Sequence, residues 1–200
     1  MNILFISPQP YPNGMAATKR IRLFAEYLAK NNNVKAFICG KNNEANLNEG
    51  EKAGVFWKFI KFSRFEYFLS FLKIYRLLKI NFIERDKNII ILYDGINLTN
   101  ILFAIIARII GYRVFTDVVE DYSVTQEKES FLRRALLLSN RVFEKYIFKF
   151  VKGVIVISES LKLKYQKGNV INIPISAENL ECNYTKDKFE TYTYLYSGSF

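Results

Sequence analysis

The residue types this chain carries, and the one it lacks, delimit the chemistry open to it. No histidine occurs among its 200 residues. That excludes Ser-His-Asp and Cys-His dyads, His-ligated zinc or haem, and an imidazole general base. Acid–base work falls to carboxylates, Lys, Tyr or Cys. Gly14 closes a turn-rich stretch just before a helical pattern whose first turns carry Lys19 and Arg20. A residue without Cβ lets a ligand approach the backbone, a helix N-terminus favours anions, and a guanidinium fork grips phosphate or carboxylate bidentately. A plain turn glycine and a solvated basic helix face explain the same residues, and no GxGxxG is present. Asp94-Gly95 and Glu120-Asp121-Tyr122 each follow an apolar run, at strand ends where open α/β sheets bind ligands; helix capping and loop solvation are the alternatives. Ser158 follows another such run and suits the N-cap of the next helix, with a ligand contact as its second reading. Cys39 and Cys182 form no CxxC and point to a reduced, cytoplasmic setting; Cys39, with no base near it, reads as a small strand residue. Trp57 reads as core. No metal site and no cofactor are expected.

The elements that must position these residues alternate. Residues 2–6 are a near-continuous apolar run ended by Ser-Pro-Gln-Pro-Tyr-Pro-Asn-Gly, hence a strand and a loop. Ile21, Phe24, Ala25 and Leu28 then recur at helical spacing up to Asn31-Asn32-Asn33. Strands are predicted at 34–39, 55–60, 88–93, 112–116, 153–157 and 170–173, with helices at 64–80, 97–110 and 127–150. Gly111 suits a left-handed cap at the end of the 97–110 helix, and 41–54 reads as a polar loop. Strand and helix in alternation imply a Rossmann-like parallel sheet with helices on both faces. One edge should then hold the strand ends near Ser7, Asp94, Asp117 and Ser158. The expected domains are a Rossmann-like unit over 1–175, a linker over 176–191, and the start of a second unit over 192–200.

Hydrophobic residues make up 50% of the chain and aromatics 16%, so neither a disordered tail nor a disulfide-held miniprotein fits. The opening Met-Asn-Ile-Leu-Phe-Ile-Ser-Pro lacks a basic n-region and reads as a strand, not a secretion signal. The longest uncharged apolar stretch, Gly95 to Ala107, is well short of the ~20 residues of a spanning helix. The formal charge is +10, and residues 58–87, with eight basic and three acidic side chains, hold +5 of it. Over 65–80, aromatic and aliphatic residues cover most of the predicted helix circumference and leave a narrow stripe of Glu66, Ser70, Lys73 and Lys79. Such a segment either packs on the sheet with basic ends or lies on an anionic membrane surface.

These residues together resemble a known family. The first strand with Pro-x-Pro-x-Pro-Asn-Gly and Ala16-Ala17-Thr18-Lys19-Arg20, Ile89–Asp94 with Gly95, Val114–Tyr122, Gly153–Ser158 with Val170–Pro174, and the closing Leu195-Tyr-Ser-Gly-Ser199 follow the order of GT-B glycosyltransferases. The likeness is to the retaining group called family 4. It implies the acceptor-side N-terminal half of an enzyme that moves a sugar from a nucleotide-diphospho-sugar to a glycan or lipid-linked acceptor, with the donor side and a paired-glutamate motif beyond Phe200. Two positions depart from the pattern. The double Gly of the first loop is Asn13-Gly14 here, and the histidine many members place near the fifth strand has no counterpart. The resemblance implies substrate contacts at Gly14, Arg20, Asp94, Glu120, Asp121, Tyr122 and Ser158, the carboxylates accepting from sugar hydroxyls and Tyr122 stacking on a sugar face. A non-enzymatic basic α/β module for nucleic acid or another polyanion is the alternative; no helix-turn-helix, zinc-finger or RNP signature accompanies it, so nucleic acid is not the expected partner. A dinucleotide oxidoreductase is disfavoured by the missing GxGxxG.

Overall fold

A computed structural model describes residues 1–14, 16–40, 48–61, 67–84, 87–93, 98–119 and 144–174. In chain order these form β1 (Asn2–Ser7), α1 (Ala16–Ala29), β2 (Asn33–Gly40), β3 (Glu49–Lys52), β4 (Val55–Lys61), α2 (Tyr67–Ile80) and β5 (Asn88–Tyr93). Then come α3 (Leu98–Ile110), β6 (Arg113–Val118), α4 (Ile147–Phe150), β7 (Gly153–Val156), α5 (Glu159–Lys164) and β8 (Val170–Asn172). The strands build one eight-stranded sheet in the order β3-β4-β2-β1-β5-β6-β7-β8.

Every neighbouring pair is parallel except β3 with β4. The central strands carry the apolar runs that a sheet covered on both faces requires: all six residues of β1 are buried, and Ile90, Ile91, Leu92 and Tyr93 are buried on β5. One face packs Leu4, Ile6, Ile90 and Leu92 against Ile74 and Leu78 of α2, Phe103 and Ile106 of α3, Ile147 of α4 and Leu161 of α5. The other packs Ile3, Phe5, Ala36 and Trp57 against Ile21 and Ala25 of α1. Trp57 is therefore core, and helices cover both faces.

The stretch 41–54 is not loop throughout. Glu49–Lys52 pairs antiparallel with β4, in register Lys52 with Val55. A two-residue turn joins them, and Ala53 and Gly54 both take the left-handed φ that such hairpins require (49° and 77°). Its charged, exposed residues conceal it from a hydrophobicity reading, yet they suit a sheet edge, where charge discourages pairing with another chain. Lys58 and Glu49, opposite each other, close an ion pair of 2.6 Å. At the end of α3, Gly111 adopts φ 113°. Its N–H and that of Tyr112 both donate to the Ala107 carbonyl, the expected glycine cap. Of the predicted 127–150 helix, only its last turns fall within the described residues.

The amino edge is fastened by amides. Asn88, fully buried, accepts from the Ile83 N–H and from Asn2 Nδ2, and donates to the Glu84 carbonyl. Asn2 Nδ2 also reaches the Asn81 carbonyl at 2.6 Å. The turn between α2 and β5 is thus tied to the start of β1.

Candidate functional site

From β1 the chain progresses outward through β2 to β4, then returns to the other side of β1 as β5 and progresses the opposite way. The carboxyl ends of β1 and β5 therefore flank the point where strand order reverses, the place at which open α/β sheets take ligands. Registers put Ile6 beside Leu92, Tyr93 beside Asp117, and Asp117 in turn beside Ile155. Ser7, Tyr93, Asp117 and the residues leading to Ser158 thus share one edge, as the alternating pattern predicts.

The loop after β1 is held over this edge. Ser7 Oγ accepts from the Gln9 N–H at 2.9 Å, and Thr18 Oγ1 donates to the Pro10 carbonyl at 2.8 Å. Tyr11 is buried in the core under α1, and burial pushes its phenol well above the ordinary range, with Glu26 adding to the rise. Gly14 is exposed, and a Cβ there would lie 2.2 Å from Thr18 Oγ1 and 2.8 Å from Thr18 Cβ. The missing side chain is what lets the Thr18 hydroxyl turn back onto Pro10. This gives the turn-glycine reading a specific cause, and the exposed backbone of Gly14 stays open to a ligand.

Arg20 lies at the centre of the edge rather than on its surface. Its Nε donates to Asp117 Oδ2 and its Nη2 to Asp117 Oδ1, both at 2.8 Å. Arg20 is 6% exposed and Asp117 2%. Nη1 donates to the Ile173 carbonyl at 2.9 Å and, more weakly, to Pro174 at 3.3 Å. One guanidinium thereby joins the first turns of α1, the end of β6 and the chain leaving β8. The sequence expectation has this fork gripping a phosphate or carboxylate of a ligand; in the structure its bidentate partner is a carboxylate of the same chain. Asp117 had no such role in the sequence reading, since 97 residues separate the pair and no local pattern marks them.

Ser158 caps α5: its Oγ accepts from the Leu161 N–H at 3.3 Å and contacts Ser160 Oγ at 2.9 Å. Nearby, Glu159 accepts from Asn172 Nδ2 at 2.8 Å and from Lys162. These bonds hold the Glu159 carboxyl below its usual range, Asn172 contributing most. Asn100 Nδ2 donates to the Tyr93 carbonyl at 3.1 Å and pins the start of α3 to the end of β5. Asp94, Glu120, Asp121 and Tyr122 lie outside the described residues. Cys39 sits half-buried on β2, and desolvation raises its thiol pKa, as suits a packing residue.

The fold is that of a Rossmann-like α/β domain, and the carboxyl ends of its strands form the edge at which open α/β sheets take ligands. A solved structure of sucrose-phosphate synthase from Thermosynechococcus elongatus has a similar fold, with a TM-score of 0.61 at 16% identity over 86% of this chain and 47% of that one. The chain spans about half the length of that protein. No protein-family model matches the chain, and no curated protein sequence does.

Proposed function

We propose that this chain is the acceptor-side half of a GT-B glycosyltransferase, working by retention on a nucleotide-diphospho-sugar and passing the sugar to a glycan or lipid-linked acceptor. The observation that carries the reading is the edge at the β1/β5 reversal, with the Gly14 loop and the start of α1 fixed above it. Its likeness to roughly half of a sucrose-phosphate synthase supports the same reading. In this proposal Gly14 offers its backbone to the donor phosphate. Asp94, Glu120, Asp121 and Tyr122 meet sugar hydroxyls and faces, and Ser158 borders the cleft. Arg20 is a positioning residue that holds α1 and the exit at Pro174 in place. Residues 176–191 form the linker and 192–200 open the donor-binding domain.

Sugar transfer measured with a panel of nucleotide sugars tests this, using residues 1–200 and the polypeptide of the complete gene, with DNA as a control ligand. Transfer by the longer protein alone is expected. Transfer by 1–200 alone would overturn the assignment of the donor side. Salt-sensitive DNA binding with no transfer by either would favour the basic-module alternative.

A specific observation favours an anionic inner-leaflet surface as the place of work. Among the described residues no helix is long and apolar enough to cross a membrane. Yet α2, while burying Ile74 and Leu78, leaves Leu72 52% and Ile80 83% exposed beside exposed Lys73, Arg76 and Lys79. Apolar side chains among cations are what an interfacial helix presents to anionic lipid.

A further inference from the structure

The loop that closes over the carboxyl edge contains a reactive pair of residues. Asn13-Gly14 is the one place in the chain where glycine follows asparagine. Both residues are exposed, although Tyr11, two positions earlier, is buried in the core. Among the described residues no hydrogen bond engages the Asn13 side chain or the Gly14 N–H. The bonds that hold the loop lie to either side, between Ser7 and Gln9 and between Thr18 and Pro10.

The amide carbon of an asparagine is open to attack by the backbone nitrogen of the next residue, because the ring that closes is five-membered. Two things ordinarily prevent it. A side chain on the next residue hinders the nitrogen, and burial or hydrogen bonding ties up one of the two groups. Neither operates at Asn13. Glycine leaves the nitrogen without a neighbouring Cβ, and Thr18 disfavours any other residue there, since a Cβ on Gly14 would lie 2.2 Å from Thr18 Oγ1. The packing that fixes the loop therefore also keeps the least hindered nucleophile next to Asn13.

We infer that Asn13 is a site of spontaneous succinimide formation and deamidation. The Gly14 nitrogen gives up its proton to solvent base and attacks Asn13 Cγ. The new N–C bond forms as the Cγ–Nδ2 bond breaks, and the side-chain nitrogen takes up a proton and leaves as ammonia. Water then opens the ring. Opening at Cγ gives aspartate, whereas opening at the main-chain carbonyl gives isoaspartate, whose backbone runs through the former side chain and is one methylene longer. No oxidant, reductant or cofactor takes part. Either product replaces a neutral amide by a carboxylate beside the exposed backbone of Gly14. An anion approaching this part of the edge then meets a like charge.

Incubation of the 200-residue chain in mildly alkaline buffer, followed by tryptic peptide mapping with fragmentation, tests the inference directly. In the peptide spanning residues 1–19, Asn13 is expected to convert to a mixture of aspartate and isoaspartate, and faster as pH rises, because base must remove the Gly14 proton. Conversion should run an order of magnitude faster than at Asn31, which is also exposed but is followed by Asn32. Asn13→Gln, whose ring would need one more atom, should abolish isoaspartate in that peptide, and circular dichroism should show the variant folded as wild type. The inference is overturned if Asn13 keeps its amide as long as Asn31 does, if aspartate forms without isoaspartate, or if Asn13→Gln yields isoaspartate in the same peptide as fast as wild type. Because the readout is mass and linkage, it is independent of whether the chain belongs to a sugar transferase.

Discussion

Replacing Asp117 with Asn should unfold this chain well before it alters any surface. The side chain is 2% exposed and faces a guanidinium that is 6% exposed, with two hydrogen bonds of 2.8 Å between them. Asn keeps one acceptor but removes the charge and turns an amide donor toward Arg20. Breaking one side of a buried pair costs about 3–5 kcal/mol, because the remaining charge is left without compensation. Arg20→Met should fall in the same range, since the Ile173 and Pro174 carbonyls also lose their donor. The double variant Arg20→Met/Asp117→Leu removes both charges and should cost less than the two single changes together. At 2–4 °C per kcal/mol for a chain of this size, the single variants should melt roughly 6–20 °C lower. Urea unfolding followed by Trp57, the one tryptophan of the chain and buried on β4, reads the cycle. Single variants costing under about 1 kcal/mol, or costs that simply add in the double variant, would refute the clamp. Arg20 would then be better assigned to ligand binding, as the sequence alone suggests.

Gly14→Ala should destabilise the chain by about 1–3 kcal/mol by driving a methyl against Thr18, and combination with Thr18→Ala should recover part of that loss in the same urea assay. Tyr112→Phe removes the donor to the Leu78 carbonyl and should cost about 1 kcal/mol, read from the shift of the urea midpoint. Glu159, held below its usual range by Asn172 and Lys162, contributes stability that is present above the ordinary glutamate pKa and is lost as pH falls through its lowered value; NMR titration should show Asn172→Ala moving it back toward the ordinary range. Co-sedimentation with anionic vesicles should fall steeply with salt and fall again in Lys73→Glu/Lys79→Glu, each cation near the surface contributing about 1 kcal/mol, whereas equal binding by that variant would reduce α2 to a packing element.

The sequence by itself determined the layers. Apolar runs such as Ile3–Ile6 and Ile89–Tyr93 cannot avoid burial on both faces, and Ile21, Ala25, Ile74 and Leu78 recur at the period that turns one helix face inward. Local rules also reached the Gly111 cap and the Ser158 cap, because each is decided by residues within a few positions. Pattern could not reach β3, since an edge strand takes its stability from the hydrogen bonds of its neighbour and is free to be charged. Nor could it assign Arg20, whose sequence context allows a phosphate as readily as a carboxylate. Only the parallel register carries Asp117 to the end of β6, beside α1 and the turn after β8, where the fork meets it.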